Sequence, residues 1–346
     1  MASSVDRREP IPRPADGAST PTPVPALPNR RAANGEGRSR LRGWLASPVA
    51  LLPLGLVALV AAVLLWESRL ANLGPSFWGL NYFFDPSGGA PSVFGVSLFL
   101  VDSAIVAGPA LALASGLSLA IAISTVVYLP PAPSRLLTLL TNLLAGIPSV
   151  VYGIWGYVVL APYFGTTAQP TLRGFLGWLP GFGGPLSAGG VGSLLAIFIL
   201  TIMVIPITAA VMRESLRNVP NDLVEAGLAL GATPWEVVRR VRLRAARRGL
   251  WGAVFLGLGR AIGESVAVAM VIGASIQIPP NLYTPSTTLA SFIFYQLDSA
   301  FFYPNLLTAL TEFALVLLAV ALVVNLLGQR ASGADATVIV TGGGRG

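Results

Sequence analysis

Residues 252–274 read GAVFLGLGRAIGESVAVAMVIGA, an apolar run long enough to cross a bilayer that nevertheless holds Arg260 and Glu264. A charge at the centre of a bilayer helix costs about 2.5–3.5 kcal/mol on insertion scales. On an uninterrupted helix the i, i+4 spacing puts both side chains on one face, about 6 Å apart along the axis. Two readings fit that spacing. The pair is either a self-neutralising packing device between helices, or a cation with its counter-ion lining a water-filled path for an anion.

Outward from this stretch the membrane character continues. The chain has 346 residues, a mean hydropathy of +0.72 and only 11% charged residues, which places it among membrane proteins. Five further segments, near 49–66, 103–127, 136–157, 191–212 and 306–327, are apolar over the length that a hydrocarbon core of about 30 Å requires. These runs lack the alternation of barrel strands, so the expected fold is all-α and polytopic, with six transmembrane helices. Every one of the 22 basic residues is Arg, and 19 of them fall on the side of the two termini, against Arg69 and Arg173 on the other. The positive-inside rule therefore puts both termini in the cytoplasm. The net charge of +7 reports orientation and gives no reason to expect nucleic acid as a partner.

Absences exclude much chemistry. Without Lys there is no GxxxxGK[ST] phosphate loop, so the chain is expected not to hydrolyse ATP by itself. Without His or Cys there is no Ser-His-Asp triad, no thiol nucleophile, no ordinary zinc site and no disulfide. No catalytic residue, metal site or cofactor of the chain's own is expected.

Three regions follow from composition. Residues 1–43, rich in Pro, Arg, Ala and Ser, read as a disordered cytoplasmic tail. They do not read as a cleaved signal peptide, because the first apolar stretch begins too late. Residues 44–330 read as the six-span domain, with a coupling segment at 214–248, and 331–346 as a second cytoplasmic tail. In the outer loops, Phe77, Trp78, Tyr82, Phe83, Phe84 and Trp178 are expected to anchor at the headgroup boundary. Pro109 and Pro148 are expected to bend or interrupt their helices, and Gly257, Gly259 and Gly263 to permit close helix approach. Asp102 reads as interfacial, whereas Glu312 is deep enough to face polar protein interior.

The inside loop is patterned. It runs RNVPNDLVEAGLALGATPWEVVRRVRLRAARR over 217–248. Leu223, Ala226, Gly227 and Leu230 recur at i, i+3, i+4 and i+7, which predicts a short amphipathic helix. Gly231 supplies a left-handed stop. Thr233 then caps a second helix, with Pro234 at its first position and Glu236 completing a capping box. The predicted elbow is suited to insertion in a groove on another protein or to lying on the membrane surface.

Glu225, Ala226 and Gly227, followed after three residues by Gly231, with Val241 and Leu243 beyond, resemble the EAA motif of binding-protein-dependent ABC importer permeases. Gly227 stands where that motif usually has Ala, and Arg244 where a proline often follows the leucine. Within that family, LAGIPSVVYG at 144–153 and LGLGRAIGE at 256–264 are similar to the permeases of phosphate importers, over roughly residues 45–330. The resemblance implies a bacterial plasma-membrane subunit that works with a sister permease, an external phosphate-binding protein and two copies of a cytoplasmic ATPase that binds ATP and Mg. It implies that Glu225, Ala226, Gly227 and Gly231 couple to that ATPase, and that Arg260 and Glu264 line the substrate pathway. The sister phosphate permease, a sulfate or molybdate permease and, in a different class, a stand-alone secondary anion transporter remain alternatives. The last should show two related halves with paired broken helices, and no internal repeat is found.

Overall fold

The computed structural model describes residues 48–68, 74–87 and 92–332. The expected tails therefore lie outside the described residues, apart from Ala331 and Ser332. A short unit covers residues 1–51 and a large one 52–346, and the large unit holds every element but the first turn of α1.

Ten helices make up most of the described chain. They are α1 (Pro48–Ser68), α2 (Val96–Tyr128), α3 (Pro131–Ala145), α4 (Ser149–Leu176), α5 (Ser193–Arg217), α6 (Asn221–Ala229), α7 (Pro234–Gly263), α8 (Val266–Ile272), α9 (Leu289–Ala300) and α10 (Pro304–Ser332). Strands β1 (Tyr82–Phe83) and β2 (Val93–Phe94) form one short antiparallel hairpin. The fold is thus all-α, as the apolar runs predict. Helices α2, α5 and α10 are each long and apolar enough to span a bilayer, and the bent pairs α3–α4 and α7–α8 bring the number to five if each is one broken span. The apolar stretch Leu52–Ser68 of α1 is shorter than the rest.

Of the two broken spans, the one near Pro148 was expected, and the one after Gly263 corrects the expectation of a continuous helix over 252–274. Between α3 and α4 the axis turns by 91°. The cause is local: Pro148 has no N–H to donate and disfavours helical backbone at Ile147. The carbonyl of Leu144 left at this end of α3 accepts a hydrogen bond from the Tyr152 hydroxyl at 2.9 Å. Pro109, by contrast, is accommodated inside α2 without a break.

Helix α5 is central. Two thirds of its apolar window, 67%, is buried, against 28% for α2 and α10, and it packs on α2, α3, α7 and α8. Small and hydroxylated residues let the helices approach, as expected in a bilayer. The hydroxyls of Ser118 on α2 and Thr208 on α5 lie 2.5 Å apart. At Gly257 on α7 an added Cβ would come within 2.6 Å of Thr208 Cγ2 and 3.1 Å of Val204 Cγ1.

Three of the five aromatics of the first outer loop pack against other protein rings, which the anchor reading did not foresee. Phe77 is buried, and Tyr82 and Phe84 pack with it in a cluster that includes Phe94, Phe99, Phe292 and Phe313. Phe99 and Phe292 stack at 4.2 Å, and Tyr82 meets Phe292 edge-on at 5.1 Å. Burial pushes the Tyr82 phenol up to about 12, so it stays neutral. Trp78, Phe83 and Trp178 are exposed. The hairpin works because rings on both sides of the loop bury one another against α9 and α10.

The α5–α7 contact gives a direct test. Replacing Gly257 by Val forces α5 and α7 apart and should destabilise the helix bundle by about 1–3 kcal/mol, the usual range for overpacking. Reversible unfolding in mixed micelles would measure it, with Gly263→Ala as the control, since nothing lies within 4 Å of a Cβ at Gly263.

Candidate functional site

Arg260 and Glu264 do meet, but not as neighbours on one helix face. Helix α7 ends at Gly263, Glu264 adopts extended backbone (φ −76°, ψ 113°), and α8 leaves at 62°. The i, i+4 expectation is corrected accordingly: Glu264 is the first residue past the helix, and its carboxylate turns back to Arg260. Arg260 Nη2 lies 3.1 Å from Glu264 Oε2. The arrangement suits the helix ends, with the guanidinium in the last turn of α7, at the negative end of its dipole. The two partners differ sharply in surroundings. The Glu264 side chain is 6% exposed and that of Arg260 46%. The carboxylate is committed to the protein, while much of the guanidinium stays open.

A narrow crevice beside Glu264 is bordered by Ser103, Ala261, Val268 and Thr288. Thr288 caps α9, accepting from Ser291 N at 3.3 Å. The start of α9 is held from across the bundle by α2. Asp102 Oδ2 accepts from Thr287 N at 3.2 Å, and Ser103 Oγ accepts from Leu289 N at 2.9 Å. Asp102 is therefore fully buried rather than interfacial. Glu312 is fully buried as well, as its depth in the sequence led one to expect. Sequence reasoning did not find Ser103, Thr287 or Thr288. The run Ser286-Thr287-Thr288 before the apolar Leu289 is a helix-start signature that could have marked them. A larger cavity of about 240 Å³ lies next to the crevice, but Leu100, Ala107, Leu258, Leu317 and Val320 make it too apolar for an oxyanion.

At the opposite end of α7 the elbow forms as its sequence dictates. Gly231 takes φ +81°, the left-handed conformation that stops α6. Thr233 and Glu236 form the reciprocal capping box: Glu236 N donates to Thr233 Oγ1 at 3.3 Å, and Thr233 N to Glu236 Oε2 at 3.0 Å. Gly227 faces the start of α7, where an added Cβ would lie 3.2 Å from Val237 Cγ2. That contact explains a residue even smaller than Ala at this position. Glu225 and Ala226 point outward, and Leu223, Leu228, Leu230 and Trp235 present apolar surface, Leu230 at 89% exposure. The helix continues through Arg244 by way of a π-helical turn, Val238–Arg242, so the missing proline leaves no kink there. Elbow and ion pair are thus separate sites joined by one helix.

Bent apolar helices around a half-open ion pair, with a capped elbow at one end, belong to the architecture of membrane transport subunits. A family model described as binding-protein-dependent transport system inner membrane component matches residues 112–332, and the chain belongs to that family. Among its relatives, the phosphate transport system permease protein PstC of Haemophilus influenzae is 38% identical over 81% of this chain and 89% of its own length. PstC of Mesorhizobium japonicum is 37% identical over 72% of this chain and 75% of its own length, and PstC 2 of Mycobacterium tuberculosis 36% over 76% and 79%. A solved chain of the MetNI methionine ABC transporter in an inward-facing conformation shares the fold, with a TM-score of 0.50, 20% identity and coverage of 69% of this chain and 95% of its own.

Because no atom lies within 4 Å of a Cβ at Gly231, its replacement tests backbone conformation alone. Gly231→Val should destabilise the elbow by about 1–2 kcal/mol through the left-handed penalty. Gly231→Asn should be close to neutral, since Asn tolerates that region. Limited proteolysis within residues 217–248 distinguishes the two: faster cleavage for Val and wild-type cleavage for Asn.

Proposed function

We propose that this chain is a transmembrane permease subunit of an ATP-driven importer of inorganic phosphate, and that Arg260 and Glu264 lie on its translocation path. The observation that carries the pathway reading is the asymmetry of the ion pair. A pair serving only to neutralise itself inside a protein offsets its desolvation cost only when both partners are fully bonded, and has no use for an open guanidinium. Here the carboxylate is buried and the guanidinium is half open. A guanidinium offers a forked, permanently charged donor set that matches phosphate oxygens. Glu264 keeps that charge tolerable when the path is empty, and as an acceptor it favours a protonated phosphate oxygen over a fully ionised one. Its competition also keeps binding weak, which conduction requires.

In this reading the exposed elbow, with Glu225, Ala226, Gly227 and Gly231, docks on a separate ATPase. The chain itself hydrolyses no ATP; nucleotide and Mg are held by a pair of PstB-like ATPase subunits. A PstA-like sister permease completes the membrane part, and a PstS-like binding protein delivers phosphate from outside. The chain sits in the bacterial plasma membrane with both termini cytoplasmic, the side to which its arginines point. Three sequence-similar permeases named for phosphate transport support the choice of substrate.

The experiment is uptake of labelled phosphate by the reconstituted transporter, normalised to assembled complex and measured across pH. Arg260→Gln and the double variant Arg260→Gln, Glu264→Gln should both assemble and both lose uptake by more than tenfold. Glu264→Gln alone should be milder, with an altered pH profile. If the pair were a packing device, the double variant, which strands no charge, would transport almost normally. That result would remove Arg260 from the path.

A further inference from the structure

A second arginine lies within the bundle without a counter-ion. Arg213, in the last two turns of α5, is 7% exposed. Its guanidinium has five N–H donors. Among the described residues it makes one side-chain hydrogen bond, from Nη1 to Thr138 Oγ1 on α3 at 3.3 Å, and no ion pair. Glu214 is adjacent and within electrostatic reach but does not pair with it, and Arg217, a turn further on, adds like charge. Arg135 stands one turn before Thr138 on α3, on the same helical face, and is exposed, as is Arg217. Three guanidiniums and a hydroxyl thus stand on the contacting stretches of α3 and α5, with Glu214 as the acid next to Arg213.

The place is distinct from the Arg260 site. Gly249 of α7 packs on Ser215 and Gly257 on Val204 and Thr208, so α5 and α7 run antiparallel. That register puts Arg213 roughly 15 Å nearer the elbow than Arg260, about ten residues of helix. Most of the Arg213 donors have no partner among the described residues, and a group with several acceptor oxygens would supply one. Several forked donors with a hydroxyl match an anionic group with several acceptor oxygens on one centre. A single carboxylate would satisfy only part of that set.

We infer that Arg213, with Thr138 and the flanking Arg135 and Arg217, binds a phosphoryl oxyanion at the arginine-rich end of the bundle. Two sources share this chemistry. One is phosphate that has passed Arg260; the other is the headgroup of an anionic phospholipid in the adjoining leaflet. The free-ion form rests on the reading of the chain as a phosphate permease, and the lipid form does not.

The test uses the assembled transporter in nanodiscs, in an Arg260→Gln background so that the pathway pair contributes nothing. In one arm, inorganic phosphate is titrated in phosphatidylcholine discs; in the other, phosphatidylcholine is exchanged for phosphatidylglycerol without phosphate. Thermal unfolding midpoint and lipid retained in native mass spectrometry are the readouts. A saturable gain in midpoint is expected in at least one arm, and Arg213→Gln should weaken the apparent affinity at least tenfold or abolish retention of phosphatidylglycerol. A response to phosphate alone identifies the free ion, and a response to phosphatidylglycerol alone identifies the headgroup. Should Arg213→Gln fail to assemble, Arg213→Lys keeps the charge without the fork and should weaken the response at least threefold. Identical responses of the parent and the assembled Arg213 variant in both arms overturn the inference. So does loss of the ATPase from the complex with no anion response in either arm, which would make a partner's carboxylate the counter-ion. Because Arg260 is already silenced, a failed pathway reading leaves this outcome unaffected.

Discussion

Broken helices in a bilayer carry one overriding constraint: no water is available to satisfy the peptide groups that a break exposes. The partners found for those groups tie the ends of the broken helices back to the protein, two of them over long distances in sequence. Tyr152 reaches back to the carbonyl of Leu144 across the α3–α4 break. At the start of α9, Thr287 N and Leu289 N are taken by Asp102 and Ser103, some 185 residues earlier in the chain. Past α8, Ser286 N donates to the carbonyl of Ile272 at 3.2 Å. The bonds at the start of α9 are local in space and long-range in sequence, so they pin α2 to α9.

That distinction explains what could be read without coordinates. The elbow was legible in detail because its determinants are local: Gly231, Thr233, Pro234 and Glu236 fix backbone through their own turns and caps. The break at Pro148 was legible for the same reason, since a proline acts on its immediate neighbours. The break after Gly263 was not. No proline marks it, and the residue leaving the helix, Glu264, does so to reach Arg260 with a buried carboxylate. Periodicity alone treats such a segment as one continuous span.

Burial of polar groups shows the same limit. Glu312 was placed in protein interior by its depth in an apolar run, and it lies there. Asp102 stands near the beginning of such a run, where an interfacial position is the simpler expectation, yet the helix begins six residues earlier at Val96 and carries Asp102 inside. The early start is due to the hairpin. Gly95 N donates to Asn81 O at 3.0 Å and Val96 N to Phe77 O at 2.7 Å, so the loop itself launches α2. The packing of Phe77, Tyr82 and Phe84 was not legible because composition cannot tell a ring that faces lipid from one packed against Phe292 or Phe313.

Helix α7 runs from the capping box at Thr233 to Gly263, with no break between Trp235 at the elbow and Arg260 at the ion pair. Mechanically the two sites are the ends of one beam, roughly 35 Å apart at 1.5 Å per residue. A beam of that length turns angle into travel: tilting it by 3° about the elbow sweeps the far end through about 2 Å. The contact at that far end is a 3.1 Å ion pair between a residue on the beam and one just beyond it. The geometry thus puts the ion pair at the end of the helix where a small rotation at the elbow becomes the largest displacement, without any rearrangement in the helix between.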